Sequence, residues 1–368
     1  MKITDYVDGR DNNFNLLRIL AALAVLISHS FVLALGPDGD EPLRAELGTS
    51  LGSVGVDIFF VASGFLVTRS LLMRQDALEF FWSRVLRIYP ALVMMTLLTV
   101  LVLGPVMTAL TLTEYFSKPT TFLYFLKNAS LLHGVAYQLP GVFDNTPYPL
   151  SVNGALWSLP FELGMYLILF VVWCLLRVLK SLRVTYFAYF ILLFFAMSTI
   201  NHLPRGFASQ SGSYLHGLLF MFFAGASAFV MRDKIVLRPL FFYAALVFLV
   251  LSTNFFSSFF FLIYSLSLPY LVLYVVFVPA GIGRHYNRLG DYSYGLYIYA
   301  FPVQQTVAAF FPQISVWNMI WMSGGISMML AILSWHCLER HSMTYKALCI
   351  ETSRRLMRQL FPQLTSIL

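Results

Sequence analysis

The chain has 368 residues, of which 59% are hydrophobic and 11% charged, and a formal net charge of +7; its mean hydropathy is +0.75. Soluble domains carry about 25% charged residues, so the composition excludes an ordinary soluble enzyme and gives no reason to invoke a nucleic-acid partner. The apolar runs are near 20 residues long and do not alternate, which indicates an all-α, polytopic transmembrane helical bundle and not a β-barrel. The three cysteines, Cys174, Cys337 and Cys349, have neither paired nor ligand-like spacing, so no disulfide and no metal site is expected.

Residues 1–14 read as a short polar tail. The first span, Asn15–Leu35, has two ionisable side chains, Arg18 and His29. Eleven positions at about 100° each bring the two within roughly 20° of one helix face, about 16 Å apart along the axis. With Arg18 at one membrane surface, His29 lies near mid-bilayer, where an ionisable group is a functional candidate by default. A neutral imidazole there suits a general base or a transient nucleophile; a histidine hydrogen-bonded within the bundle is the plainer alternative. An acidic loop, 36–47, leads to a second span at about 48–72. Within it Ser53, Asp57, Phe60 and Gly64 share a face. Asp57 is expected at the depth of His29, where its carboxylate would orient the imidazole.

A basic segment with Arg69, Arg74, Arg84 and Arg87 precedes the third span, at about 89–110. Arg84 and Arg87 fall on one helix face and suit bidentate bonding to phosphate, although arginines here also suit simple anchoring. The connection 111–154 includes an apolar piece, Phe122–Leu132, too short to span. Its Tyr115, Tyr124, His133, Tyr137, Asp144 and Tyr148 have the composition of a sugar-binding surface. The fourth span, about 155–177, carries Glu162, an intramembrane carboxylate that needs a partner or a water-filled cavity and would orient or deprotonate an acceptor hydroxyl. Spans at about 184–201, 214–231, 239–256, 258–279, 291–311 and 316–337 bring the total to ten. In the ninth, Tyr294, Tyr297 and Phe301 share a face suited to lining a narrow channel. The tail from Glu339 is basic and weakly amphipathic, suited to a membrane surface.

Loop charge orients the bundle. The tails and alternate connections hold 20 of the 24 Lys and Arg residues, which leaves Arg44, Lys118, Lys127 and Arg205 on the other side. By the positive-inside rule both termini are cytoplasmic, and so is Arg18.

Taken together and in order, the Arg18-x10-His29 pair, GVDIFFVASGFL, Arg84-x-x-Arg87-I-Y-P, WSLPFELGMYL, SYGLYIYAFPV and the terminal Leu338-Glu339 resemble acyltransferase family 3, the bacterial membrane O-acyltransferases of cell-surface glycans. The resemblance covers about residues 14–340. It implies a cytoplasmic acyl-CoA donor, usually acetyl-CoA, and an acceptor hydroxyl on an extracytoplasmic glycan or lipid-linked oligosaccharide. It also implies His29 as the catalytic residue with Arg18 as its donor-side companion, and donor roles for Arg84 and Arg87. Two positions depart from the family pattern. Ala300 stands where members often have histidine, and Glu339-Arg340-His341 replaces the common Glu-Lys/Arg-Pro, so no catalytic role is expected of the ninth span. Some members carry an SGNH-type hydrolase domain; the short stretch after the last span leads us to expect transfer in the membrane domain itself or on a partner.

The expected organisation is an N-terminal tail (1–14), a transmembrane acyltransferase domain (15–338) and a cytoplasmic tail (339–368), in the bacterial inner membrane. The expected catalytic set is His29, Arg18, Glu162 and Asp57, and the acyl-CoA-binding set Arg84, Arg87, Ser63 and Tyr294, with no permanently bound cofactor. Oligomeric state is open. The alternative is a secondary transporter in which His29, Asp57 and Glu162 relay protons, although no inverted repeat is visible.

Overall fold

The structure is a computed structural model that describes residues 1–7, 9, 11–205 and 213–360; Arg10 and the end of the tail, 361–368, lie outside the described residues. Among the described residues there is no β-strand, only helices and isolated bridges. The principal helices are α1 (Phe14–Leu35), α2 (Leu51–Arg74), α3 (Ala77–Leu98), α4 (Pro119–Ser130), α5 (Leu159–Leu175), α6 (Arg183–His202), α7 (Ser213–Val230), α8 (Pro239–Phe255), α9 (Ser257–Phe277), α10 (Ser293–Phe310), α11 (Val316–Ser334) and α12 (Lys346–Leu360). Helices occupy all ten expected intervals. Among the described residues six helical segments have the length and hydropathy to cross a membrane, and the α7 and α8 helices are shorter apolar ones. The chain is a multi-pass helical membrane protein.

Local chemistry sets the helix ends. Ser50 caps α2 by accepting from the backbone N–H of Ser53 (3.1 Å), and Asp76 caps α3 by accepting from that of Glu79 (3.0 Å). The Asp76 cap starts α3 twelve residues before the expected third span, so Arg84 and Arg87 lie within a helix. At the first turn of α1, the Asn13 amide donates to the carbonyls of Val275 and Pro279, which ties α1 to the end of α9. A π-helical turn, Trp335–Glu339, follows α11; such turns recur at functional sites.

The centre of the bundle runs α7–α2–α1–α10–α11. Two glycines bring α2 and α7 backbone to backbone. A Cβ on Gly64 would sit 1.9 Å from the carbonyl oxygen of Phe222, and one on Gly225 would sit 2.0 Å from that of Val61. Where lipid weakens the hydrophobic drive between helices, such small-residue contacts carry the packing. On another side of α2, Gly55 lies under α1, with a Cβ position 2.6 Å from the carbonyl oxygen of Ala21.

The connection 111–154 is folded, not open. Helix α4 lies within it, and Val100, Tyr115, Tyr124, Leu139, Val142, Phe143 and Val152 form a small separate core. This corrects the sugar-surface expectation for two of its six residues: Tyr115 and Tyr124 are buried and hold the loop together, whereas His133, Tyr137 and Asp144 are exposed. After α11 the chain stays at the end of the bundle where α3 begins. Helix α12 docks on the start of α3 through Lys346–Glu79 and Arg354–Asp76 ion pairs, and the Trp82 indole donates to Ser353 (2.9 Å).

Candidate active site

A cavity of about 540 Å³ opens at the basic end of the bundle, the end where α1 begins and α2 finishes. Arg69, Met73, Arg74 and Met343 line its mouth; Arg18, Ser63, Arg84, Arg87, Glu162, Tyr166 and Tyr294 line its middle; Val56, Phe59, Ser158 and Tyr297 close its far end. Six of the eight sequence-predicted site residues therefore meet in one cavity, brought there by α1, α2, α3, α5 and α10.

The arginines are not equivalent. Arg87 bonds to Glu339 (2.9 Å) and to Asp291 (2.6 Å), and Arg18 pairs with the same Asp291 oxygen. Ser334 donates to the other oxygen of Glu339 (3.1 Å), and Ser293 closes on Asp291. The Arg87 guanidinium also lies 5.4 Å from the ring centre of Trp335. Gly290 permits this close fit, because a Cβ there would come within 2.4 Å of the Trp335 indole nitrogen and the backbone φ is +131°. Arg18 and Arg87 thus carry two carboxylates of their own and are not bare phosphate ligands. Arg84 differs. It makes no ion pair among the described residues, its buried Nε has no hydrogen-bond partner, and its guanidinium carbon lies 5.8 Å from the Tyr166 ring centre. A half-buried guanidinium with no carboxylate in ion-pair range and a buried Nε without a partner is suited to an anion or a polar ligand atom.

Opposite Arg84, Ser63 donates to Glu162 (2.9 Å), and Tyr166 donates to the same carboxylate oxygen and lies 2.5 Å from the Ser63 hydroxyl. Glu162 and Tyr166 are four residues apart on α5, so one face of that helix supplies the acid and its clamp. Tyr294 donates to the carbonyl of Ile88 (3.0 Å). At the far end, the Tyr297 hydroxyl bonds to the carbonyl of Ala155 (2.7 Å) and the Ser158 hydroxyl (2.8 Å), and its ring meets Phe59 edge-on at 5.8 Å.

His29 stands beyond this end wall and outside the cavity lining. Its ring meets Phe301 at 5.3 Å, edge to face, and Phe301 is one turn along α10 from Tyr297. Gly154 leaves the space that Phe301 fills, since a Cβ there would come within 2.7 Å of the ring. The His29 Nδ1 is buried with no hydrogen-bond partner. No hydrogen bond joins His29 to Asp57, which corrects the expected pairing. Asp57 accepts from the Tyr264 hydroxyl of α9 (2.7 Å). The reason is rotation about α2. Gly55 faces α1, and Asp57, two residues on, points about 200° away. Matched depth did not mean matched direction. Ala300 is buried among Ile19, Ala22, Leu26 and Leu296, away from the cavity.

Tyr166, Asp291 and Glu339 complete the site. Tyr166 is signalled by its i+4 spacing from Glu162. Glu339 is signalled by the quoted Leu338-Glu339 pair, and Asp291 only by being an acid two residues before the SYGLYIYAFPV segment.

The sequence profile of the acyltransferase domain matches residues 11–337, a stretch that covers α1, α2, α3, α5 and α10, which supply the middle and far end of the cavity. The chain belongs to acyltransferase family 3. The acyltransferase is 28% identical to an O-acetyl transferase of Shigella phage Sf6 over 360 residues, 91% of this chain and 97% of the phage protein. It is also 35% identical to nodulation protein 10 of Rhizobium leguminosarum bv. viciae over 178 residues, 45% of each chain. No solved structure matches it. The cavity with its unpaired arginine is therefore the candidate active site of a membrane O-acyltransferase.

Proposed function

We propose that this acyltransferase moves an acetyl group from cytoplasmic acetyl-CoA to a hydroxyl of an extracytoplasmic or lipid-linked glycan, in the bacterial inner membrane. The reading adopts ten spans with both termini in the cytoplasm, which puts the cavity mouth on the cytoplasmic side. The observation that carries it is Arg84, which makes no ion pair among the described residues and has a buried Nε without a hydrogen-bond partner, inside a cavity whose mouth bears Arg69 and Arg74. That arrangement suits a long anionic donor that enters phosphate-end last.

In the mechanism, phosphates bind at the arginine-lined mouth and the pantetheine arm extends toward the far end of the cavity. Glu162, held by Ser63 and Tyr166, accepts hydrogen bonds from the donor's amide groups or from the incoming hydroxyl. The thioester must pass the Phe59–Tyr297 pair to reach His29. There the imidazole takes the acceptor's hydroxyl proton while oxygen attacks the thioester carbonyl. A C–O bond forms, the C–S bond breaks, and the thiolate leaves as CoA thiol with the proton that His29 returns. An acyl-histidine intermediate divides the same balance into two steps. Arg18 and Arg87 act by holding Asp291 and Glu339, which fixes the start of α10 and with it Tyr294 and Tyr297. No permanently bound cofactor is required. The transporter alternative needs one connected relay. His29, Asp57 and Glu162 have three separate sets of partners, which favours the enzyme.

The test is His29→Ala. Glycan acetylation by cells or membranes carrying it should fall at least 100-fold while its level in the membrane stays at that of the unmodified protein. Undiminished acetylation would overturn the assignment of His29.

A further inference from the structure

A second cavity, of about 210 Å³, opens at the opposite end of the bundle, on the side of α2 away from His29. It is lined by Arg44, Ser53, Asp57, Trp157, Tyr214 and Tyr264, among others. Trp157 and Tyr214 form an aromatic corner, their rings in edge-on contact with centres 5.4 Å apart at 61°. The lining also holds polar groups. Asp57 spends one carboxylate oxygen on the Tyr264 hydroxyl (2.7 Å), and its other oxygen takes no hydrogen bond from the described residues. Ser53 and Ser50 share a hydrogen bond of 3.0 Å, and Arg44 is paired with Glu41.

This combination selects a chemical class. Aromatic plates accept the C–H faces of a ring, and a carboxylate oxygen and serine hydroxyls accept and donate to its hydroxyl groups. Asp57 is the sole carboxylate among the lining residues, so a metal cation is not favoured. The volume is below the roughly 300–1,000 Å³ of drug-sized ligand sites, which limits the occupant to a single small ring. The cavity also abuts the first one. Val56 lines both, and Trp157 and Ser158, consecutive in the chain, face one cavity each.

We propose that this second cavity is a carbohydrate subsite, holding a sugar ring of the acceptor adjacent to the one that is acylated. The proposal rests on the glycan-acceptor reading above. Because Asp57 points away from α1, the ring bound here is not the one presented to His29. The subsite therefore sets which glycan is recognised, and Asp57 and Trp157 are its specificity determinants.

The protein in nanodiscs is titrated with methyl glycosides of glucose, galactose, rhamnose and N-acetylglucosamine, and binding is read by saturation-transfer NMR against empty nanodiscs. At least one glycoside should bind, and Asp57→Asn and Trp157→Ala should each weaken its Kd tenfold or more. Tyr264→Phe, which removes only a hydroxyl, serves where either variant fails to give a monodisperse protein; it should weaken binding at least threefold. Binding by no glycoside, or equal binding by unmodified and variant proteins, overturns the subsite. Acetyl transfer from acetyl-CoA by the unmodified protein is measured in parallel. Its absence alongside Asp57-dependent sugar binding would count against the proposed reaction and leave the subsite standing.

Discussion

Arg84 and Arg87 sit three residues apart on α3 and line the same cavity, yet what faces each one gives it a different job. Arg87 is neutralised by Asp291 and Glu339, whereas Arg84 has an aromatic ring and no carboxylate in ion-pair range. Arg84→Ala should therefore raise the KM for acetyl-CoA by roughly 10- to 100-fold, the scale of one or two charge-assisted hydrogen bonds, with little loss of thermal stability. Arg87→Ala should behave in the opposite way. It strands the buried Glu339 carboxylate and leaves Asp291 with Arg18 alone, at a cost of about 3–5 kcal/mol, so its melting temperature in detergent should drop well below that of Arg84→Ala. Equal effects of the two variants on both quantities would refute the distinction. Sequence spacing showed that both arginines share a face. It did not show which was paired, because Asp291 and Glu339 lie more than 200 residues away along the chain and reach Arg87 only through packing.

At the scale of the helix, α2 is the element on which the site is built, and it works by having distinct faces. Gly52 and Gly55 admit α1, Gly64 admits α7, and Ser63 opens to the cavity. The small-and-polar face of Ser53, Asp57 and Gly64 was legible from periodicity alone. Its partner was not, since a helix pattern fixes angles about its own axis and says nothing of which neighbour stands there. Gly64→Val should force α2 and α7 apart, given the 1.9 Å between a Cβ at that position and the Phe222 carbonyl oxygen. The expected result is loss of the monodisperse peak in size-exclusion chromatography. Gly164→Val is the control, because a Cβ on Gly164 meets nothing within 4 Å. If Gly64→Val elutes like this control, the close helix contact is wrong.

At the scale of the molecule, two cavities approach each other from opposite ends and are parted by Val56 and the Trp157–Ser158 turn. That arrangement suits a reaction whose two substrates start on opposite sides of a membrane. It also makes orientation testable. In a cysteine-free background, Glu46→Cys should react with a membrane-impermeant maleimide on intact spheroplasts, and Arg355→Cys only after permeabilisation. The reverse pattern would invert the bundle and with it the donor side. The docking of α12 on α3 through Lys346 and Arg354 puts Arg355 on the same side as the cavity mouth.

The sequence by itself determined the class of fold, the helical intervals, the family and most of the residues around the first cavity. Each of these follows from local order: hydropathy over about 20 residues, charge between spans, and spacing on one helix face. The tertiary structure decided what those residues do to one another. It paired Arg18 and Arg87 with Asp291 and Glu339, left Arg84 open, turned Asp57 away from His29 toward Tyr264, and buried Tyr115 and Tyr124 in a loop core. Every one of these outcomes depends on the rotation of one helix against another, a quantity set by interhelical packing and absent from any single segment.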